Sequence, residues 1–262
     1  MDGDVSLGAR MQSLLDRRLP LRTRLDLFLA DLRRKWATRE RYGVRYGRGT
    51  VYLSDADFAV DRASFTFAVT EANYATDYDG AAVLDAGGHK GYFAAYAAAH
   101  GAKAVVSYEP ETANLEVLER TASGYGGTWE VRRAAVDARA GRADLHVMRS
   151  SWGHALEPPS AFAEHEIGVE PVDVVALADA LQDAATHLVA GARLVVKVNI
   201  EGAECSAILG TPPEVWADVD EVFVETHPWA DCDDARLADH LAQAGLRRVQ
   251  SAHPAVLRMR RG

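Results

Sequence analysis

The chain is poor in cysteine and has no long apolar run, and each of these absences excludes a class of protein. Its two cysteines, Cys205 and Cys232, allow at most one disulfide and lack the CxxC spacing of zinc sites, so we expect reduced thiols and no bound metal. No run of 18 apolar residues occurs, which predicts no membrane-spanning helix. The N-terminus also lacks the apolar segment of a secretory signal, so we expect a cytoplasmic protein.

Basic residues are scarce outside the first 50 positions. Residues 1–50 contain 12 Lys and Arg against 6 Asp and Glu, whereas the remainder contains 17 against 32. An acidic surface repels phosphates, which argues against nucleic acid as the main partner. The basic N-terminal stretch fits either the solvated side of a helix or a contact with an anionic partner, and both interpretations stay open.

Hydrophobic periodicity divides the chain into a helical and β-rich extension, residues 1–73, and a core, residues 74–262. In the extension, helices are predicted at 7–18 and 21–36, and β-prone runs at 50–53 and 65–69. From residue 81 onward, short apolar runs alternate with helical patterns. The core strands are predicted at 81–85, 104–108, 130–136, 145–148, 171–176, 194–199, 222–225, 246–250 and 255–260, and the core helices at 92–99, 112–122, 179–190 and 233–244.

This alternation predicts an α/β fold with a Rossmann-like, mostly parallel sheet that has helices on both faces. The last two runs read as a closing pair, which places an antiparallel strand at the C-terminal side of the sheet. In such sheets the ligand binds at the carboxyl ends of the strands, where the strand order reverses. The candidate site residues are therefore those that directly follow each strand.

A glycine-rich loop follows the first core strand, with the sequence Asp85-Ala-Gly-Gly-His-Lys-Gly91. Glycine lets the backbone approach a ligand, and the next helix offers free N–H groups, so the loop can hold a pyrophosphate or an amino-acid carboxylate. The G-x-G-x-x-G spacing of dinucleotide sites fails here. Asp85 would repel a pyrophosphate but suits an ammonium group. Glu109, 18 residues beyond Gly91, stands where an acid binds ribose hydroxyls, and S-adenosylmethionine has both groups.

An ordered series of motifs extends this pattern over residues 74–228. It runs Val83-Leu-Asp-Ala-Gly-Gly-His-Lys-Gly-Tyr-Phe93, Tyr108-Glu-Pro110 with Asn114 and Leu118, Ala134-Ala-Val136, Val196-Lys-Val-Asn-Ile-Glu-Gly-Ala-Glu204 with Leu209-Gly210, and Val224-Glu-Thr-His227. The series resembles the FkbM family of class I methyltransferases, and Glu-Gly-Ala-Glu is its most family-specific part. The resemblance implies methyl transfer from S-adenosylmethionine, most often to a hydroxyl of a sugar or a natural-product scaffold.

The resemblance also implies a cofactor site. Asp85, Gly87 and Gly91 would line the methionine end, Glu109 the ribose, and Val136 with Asp137 the adenine. The chain departs from the family at His89-Lys90, where Asn-Ile or similar is usual, and at Asn199, where the strand usually ends in Asp. With the adjoining motif positions, the expected cofactor residues are Asp85, Gly87, Gly88, His89, Gly91, Tyr92, Phe93, Glu109, Pro110, Asn114, Val136, Asp137 and Asn199.

Three residues after the later core strands are catalytic candidates: Asn199, Glu201 and His227. A hydroxyl acceptor needs a base, and His and Glu are suited to that work. His227 is also readable as a strand-end histidine bonded to backbone, and Glu204 as a first-turn acid that favours the helix dipole. The expected acceptor-site residues are Tyr74, Trp152, His154, Glu201, Glu225 and His227.

These residues favour a small-molecule O-methyltransferase with S-adenosylmethionine as its cofactor. N-methylation of an amine is an alternative, and a non-catalytic nucleotide-binding subunit is a further one. The glycine spacing and Asp85 disfavour a nicotinamide-dependent oxidoreductase. We expect a small-molecule acceptor as the partner, with no nucleic acid and no membrane, and the sequence allows a homodimer.

Overall fold

The computed structural model describes residues 14–34, 41–230 and 232–262 of the chain. The predicted helix at 7–18 lies mostly outside these ranges, as do the last two residues of the helix predicted at 21–36. The extension contains α1 (Leu21–Arg33), β1 (Arg41–Tyr46), β2 (Gly49–Ser54), α2 (Phe58–Phe65) and a π-helical turn at Thr66–Thr70. β1 and β2 form an antiparallel hairpin, which confirms the strand predicted at 50–53.

The core carries the remaining elements. Its strands are β3 (Ala82–Ala86), β4 (Ala104–Tyr108), β5 (Thr128–Arg132), β6 (Ala135–Asp137), β7 (Gly141–Met148), β8 (Glu166–Ala176), β9 (Leu194–Val198), β10 (Val219–Glu225), β11 (Leu246–Arg248) and β12 (Val256–Arg261). Its helices are α3 (Tyr92–Ala99), α4 (Thr112–Tyr125), α5 (Leu177–Ala185), α6 (Glu204–Gly210) and α7 (Asp234–Gln243), with short 3-10 turns at Ser160–His165, Pro213–Asp218 and Pro228–Ala230.

Seven strands form the central sheet in the order β11-β12-β10-β9-β3-β4-β5. β10, β9, β3, β4 and β5 pair in parallel, and β12 pairs antiparallel with both β10 and β11. This strand order, with its antiparallel C-terminal strand, is that of the class I methyltransferase fold. The fold class predicted from the sequence is confirmed.

The central strands are apolar because both faces of the sheet are covered. Every residue of β3, β4 and β9 is buried, as expected for parallel strands between two helical layers. Alternate residues face opposite sides, so Val83 and Val195 pack in the cluster that contains the extension and α3. Leu84 and Val196 pack in the cluster with α5, α6 and α7. The extension thus covers one face of the sheet.

The strand predicted at 130–136 is two strands that belong to different sheets. β5 ends at Arg132 and pairs with β4, whereas β6 pairs with β8 in a small three-stranded sheet of order β6-β8-β7. A tight turn separates them, in which the Ala134 N–H donates to the Arg132 carbonyl at 3.1 Å. The apolar pattern continues through this turn because Ala134, Ala135 and Val136 are also buried, so the pattern alone hid the break.

The β-prone run at 65–69 is helical, and the strand prediction is wrong there. Phe65 ends α2, and its ring contacts the edges of Tyr46 and Tyr92 at centroid distances of 5.9 and 6.2 Å. Ala68 and Val69 are buried in the π-helical turn. The aromatic and β-branched residues serve a buried helical face, and this tertiary packing overrides their strand propensity.

The two cysteines are bonded to each other, so the expectation of reduced thiols is wrong. Cys205 on α6 and Cys232, just after the 3-10 turn that follows β10, have their Cα atoms 5.5 Å apart. The fold brings these segments together from positions 27 residues apart, which spacing alone does not reveal. The disulfide removes the thiol argument for a cytoplasmic location. In the described ranges, no helix is both long and apolar enough to cross a bilayer.

We expect reduction of this disulfide to lower the free energy of unfolding by about 3 kcal/mol, because the bond closes a loop of moderate length in the unfolded chain. Denaturant unfolding with and without a dithiol reductant measures the change. The double variant Cys205→Ala/Cys232→Ala is the control and should not respond to the reductant. Two free thiols in the denatured, unreduced wild-type protein would show that the bond does not form.

Candidate active site

A cavity of about 810 Å³ opens at the carboxyl ends of the central strands. It lies where β3 adjoins β9 and the strand order reverses, which is the expected place for a ligand in this fold. The extension contributes one wall and the segment around Trp152 another. The sequence-predicted residues that line the cavity are Tyr74, Gly87, Gly88, His89, Tyr92, Phe93, Glu109, Pro110, Asn114, Val136, Trp152, His154, Asn199, Glu201, Glu225 and His227.

The glycine-rich loop lies against the end of β9. The N–H groups of Gly87 and Gly88 donate to the carbonyl of Tyr108, at 3.1 and 2.8 Å. Gly87 has a φ of +80°, and a Cβ at this position would stand 1.7 Å from the backbone oxygen of Asn199. Only glycine fits there, because any side chain would meet rigid backbone. The backbones of Gly87 and Asn199 are therefore in direct contact.

Glu109 is buried at the end of β4 and is held by two backbone donors. The His89 N–H donates to its Oε2 at 2.7 Å, and the Glu111 N–H donates to its Oε1 at 3.1 Å. Burial raises the pKa of Glu109 to about 8, and these donors oppose the rise. Each carboxylate oxygen has a second lone pair, so Glu109 can still accept hydrogen bonds from a ligand's hydroxyls.

Asp85 does not line the cavity, because Lys197 lies between its carboxylate and the cavity. Asp85 is fully buried, and its Oδ1 lies 3.1 Å from the Nζ of Lys197 on β9. Asp85 and Lys197 are direct neighbours in the parallel pairing of β3 and β9. Burial raises the pKa of Asp85, and the Lys197 ammonium opposes this. The ammonium expected at Asp85 from the sequence is thus supplied by the protein itself.

Lys197 lines the cavity and is the principal site residue that the sequence analysis missed. Its Nζ also donates to the backbone carbonyl of Gly87, so it fixes the glycine-rich loop from below. The signal was present, since a lysine in the middle of the apolar strand Leu194–Val198 needs a buried partner. The register between β3 and β9, which identifies Asp85 as that partner, is not readable from the pattern.

His89 and Lys90, the departures from the family pattern, have different roles. His89 lines the cavity, has its Nε2 3.1 Å from the Ser151 Oγ, and is kept neutral because burial lowers its pKa well below the ordinary value. Lys90 points away and is 2% exposed. Its Nζ lies 2.6 Å from Asp61 Oδ1 on α2 and 3.0 Å from Ser54 Oγ. Lys90 therefore ties the glycine-rich loop to the extension.

Gly91 and Asp137, expected at the cofactor, also lie off the cavity lining. Gly91 is the N-cap of α3, with a φ of +88°, and a Cβ there would stand 2.9 Å from Leu118. Asp137 accepts hydrogen bonds from the Ala138 N–H and from the Ser206 hydroxyl on α6. Both positions serve the packing around the site.

His227, a candidate catalytic residue, lies between two glutamates, Glu201 and Glu204. Its Nδ1 is 3.1 Å from Glu204 Oε1, and its Nε2 is 3.4 Å from Glu201 Oε2. Glu204 is fully buried and also accepts from the N–H groups of Ile200 and Gly202, at 2.8 and 3.0 Å. The interpretation of Glu204 as a first-turn acid alone is incomplete, because its carboxylate also fixes the orientation of the His227 ring.

The pKa values of His227 and Glu201 are both raised above their ordinary values. Burial raises the pKa of Glu201 to about 8, with the charges of Glu204 and Glu225 adding to the rise. Burial opposes the protonated form of His227, but the hydrogen bond to Glu204 and the nearby carboxylates outweigh it and raise its pKa to about 9. Glu201 also has a φ of +51°, an uncommon conformation for a residue other than glycine that clusters at functional sites.

Asn199 and Glu225 form a second polar group beside the first. Glu225 Oε2 accepts from the Tyr74 hydroxyl at 2.7 Å and from Asn199 Nδ2 at 2.9 Å. Burial raises the pKa of Tyr74 well above its ordinary value, which keeps its hydroxyl a donor.

Two residues of the segment after β7, Trp152 and His154, line another wall of the cavity. Trp152 lies half-exposed, with its Nε1 donating to Ser64 Oγ on α2 at 2.6 Å. His154 Nδ1 accepts from the Met148 N–H at 2.9 Å. These bonds join the segment to the extension and to β7, so both residues are held at the cavity.

Three solved structures illustrate what this chain is similar to. FkbM methyltransferase from Methylobacillus flagellatus is 14% identical, with 78% of this chain and 53% of that chain covered and a TM-score of 0.47. This chain therefore spans about half the length of that protein. Magnesium protoporphyrin IX methyltransferase from Synechocystis, with bound S-adenosylmethionine, is 12% identical over 98% of this chain and 92% of that chain, at a TM-score of 0.37. A methyltransferase from Agrobacterium tumefaciens, dependent on S-adenosylmethionine, is 10% identical. The match covers 86% of this chain and 71% of that chain, with a TM-score of 0.40.

No family model and no curated protein matches the chain. The strand order and the antiparallel β12 define the fold independently of the similarities above. By that topology, the chain has the class I methyltransferase fold.

Proposed function

We propose that the chain transfers a methyl group from S-adenosylmethionine to a hydroxyl of a small molecule, with a sugar or a natural-product scaffold as the acceptor class. The observation that carries the proposal is the placement of His227, between Glu204 and Glu201, in the same cavity as the glycine-rich loop and Glu109. A base is required for a weakly nucleophilic hydroxyl, and this cavity supplies one beside a site suited to a nucleoside.

The residues present fit the cofactor. Gly87 lines the cavity, and its lack of a Cβ lets the glycine-rich loop lie directly against the backbone of Asn199. Glu109 stands at the end of β4, where it can accept the ribose hydroxyls, and Val136 lies further along the same cavity on the side expected for adenine. When bound, the cofactor supplies an electrophilic methyl group on a cationic sulfur.

The chain's own residues orient the acceptor and take its proton. The acceptor hydroxyl would lose its proton to His227 as its oxygen gains the methyl group, and the electrons of the broken carbon–sulfur bond would stay on the sulfur of the departing thioether. Glu204 holds the ring so that Nε2 faces Glu201 and the cavity, and its charge stabilises the protonated imidazole, as buried carboxylates do for catalytic histidines. Trp152 and the extension form walls of the cavity and are joined by the hydrogen bond from Trp152 to Ser64.

We expect kcat/KM for the acceptor to rise as the pH increases through about 9. His227 can act as the base only after it loses its proton, and its pKa is about 9 in the free protein. Initial rates across pH 6–10, with folding checked at each pH, measure the profile. In the Glu201→Gln variant the rise should move to lower pH, because the charge of Glu201 contributes to the raised pKa of His227. A rate independent of pH over this range would contradict a role for His227 as base.

Glu109→Ala should weaken cofactor binding at least about tenfold, because a carboxylate hydrogen bond contributes more than about 1.4 kcal/mol. Calorimetric titration with S-adenosylmethionine measures the change. Glu116→Ala is the matched control, since Glu116 is an exposed glutamate on α4 and should leave the affinity unaltered. Equal affinities for the wild type and Glu109→Ala would show that the ribose does not bind at β4.

A further inference from the structure

We propose that Asn199 and Glu225 form an ammonium-binding site at the ends of β9 and β10, and that its ligand is the α-ammonium group of the cofactor's methionine moiety. The inference rests on the proposed function and specifies how that cofactor is held. It moves the ammonium from Asp85, where the sequence places it, to a carboxylate two strands away.

The first observation concerns the acceptor atoms. Both hydrogen bonds to Glu225, from Tyr74 and from Asn199, go to Oε2. Within the ranges that the structure describes, no group donates to its Oε1 and no Lys or Arg pairs with it. The Oδ1 of Asn199 is buried and also lacks a hydrogen-bond partner. Two oxygens of adjacent side chains are therefore short of donors, and an ammonium group has three to offer.

The second observation concerns preorganisation. The Tyr74 ring that holds Glu225 is itself fixed by edge contacts with Phe67, Phe93 and Phe223, at centroid distances of 5.6, 5.1 and 5.8 Å. The carboxylate is thus held in one orientation before any ligand binds. A half-buried carboxylate without a cation costs free energy, and a ligand that brings the cation recovers it.

The third observation excludes the alternative carboxylate. Asp85 is fully buried, and its charge is already balanced by Lys197 at 3.1 Å. A ligand's ammonium would have to displace Lys197 in order to reach it. Among the described residues no Lys or Arg contacts Glu225, and Glu225 lines the cavity.

The fourth observation assigns the ammonium to the cofactor. Asn199 follows β9, and its backbone oxygen is the atom that Gly87 approaches, so the site adjoins the glycine-rich loop. In the proposed arrangement Glu109 holds the ribose on the β4 side, which leaves the methionine end to extend across β3 toward β9 and β10. An amine of the acceptor is the other source of the same chemistry, and the experiment separates the two.

The test is a calorimetric comparison of two ligands that differ in the amino group. S-Adenosylhomocysteine retains the α-ammonium, and its deaminated analogue lacks it. Neither ligand carries a sulfonium, so a change of protein charge cannot act through the sulfur. Glu225→Gln is nearly isosteric and keeps the Tyr74 hydroxyl bond. We expect the Glu225→Gln substitution to weaken the binding of S-adenosylhomocysteine at least tenfold and to leave the affinity for the deaminated analogue unchanged.

Asp85→Asn is the matched control and should alter both affinities by the same factor, because Asp85 does not contact the ammonium. Equal weakening of both ligands by Glu225→Gln would overturn the proposal. Unchanged cofactor binding with a raised acceptor KM would also overturn it, since the ammonium would then belong to the acceptor. A wild-type protein that binds neither ligand would contradict the proposed function itself.

Discussion

Replacement of His227 by Asn should lower kcat by a factor of about 10²–10⁴ and leave the cofactor Kd unchanged. His227 links the buried Glu204 to Glu201, at 3.1 and 3.4 Å. Asparagine cannot accept the acceptor's proton, so the loss falls on the chemical step. Single-turnover methyl transfer, followed by product mass, measures the step directly, and calorimetry measures the Kd.

His240→Asn is the matched control for this variant. His240, on α7, is also half-buried, but it does not line the cavity. Its Nε2 lies 2.8 Å from the carbonyl oxygen of Thr211. Its replacement should leave kcat unaltered. A His227→Asn protein with the wild-type kcat would remove the base from the proposed mechanism, and a weakened cofactor Kd would instead place His227 at the cofactor.

Replacement of Lys197 by Met should lower the free energy of unfolding by about 3–5 kcal/mol, because it leaves the Asp85 carboxylate buried without its cation. The two charges lie 3.1 Å apart, and both side chains are almost wholly inaccessible. The double variant Lys197→Met/Asp85→Asn removes both charges and should regain most of that loss. Denaturant unfolding of the three proteins measures it.

The control for the lysine variant is Lys103→Met, because Lys103 is exposed between α3 and β4 and its loss should change stability little. A double variant as unstable as Lys197→Met alone would mean that the lost free energy comes from packing of the lysine stem. Full stability of Lys197→Met would contradict the buried pair.

The fold was predictable because apolar strands and helical periods alternate from β3 to β10, although the pattern did not show the break between β5 and β6. Once the sheet is parallel, the residues after each strand must meet at one edge, which is why Glu109, Asn199, Glu201 and Glu225 all line one cavity. This follows from local patterns and one topological rule. It also explains why most of the expected cofactor residues line this cavity, without knowledge of side-chain contacts.

The sequence fails to predict side-chain partners where these depend on strand register or on packing between distant segments. Asp85 pairs with Lys197 only because those two positions are direct neighbours across β3 and β9. The Cys205–Cys232 bond depends on the meeting of α6 with the turn after β10. Lys90 is explained by Asp61 on α2, from an extension that matches no motif. None of these three pairings leaves a periodic signal in the sequence.

Two calorimetric titrations, one with S-adenosylmethionine and one with NAD, test whether the cavity is a methyltransferase cofactor site or a dinucleotide site. Both ligands contain an adenosine and would use the same edge of the sheet, but only the first has an amino-acid group in place of a pyrophosphate. We expect one molecule of S-adenosylmethionine to bind per chain and NAD not to bind. Binding of NAD without binding of S-adenosylmethionine would contradict this expectation.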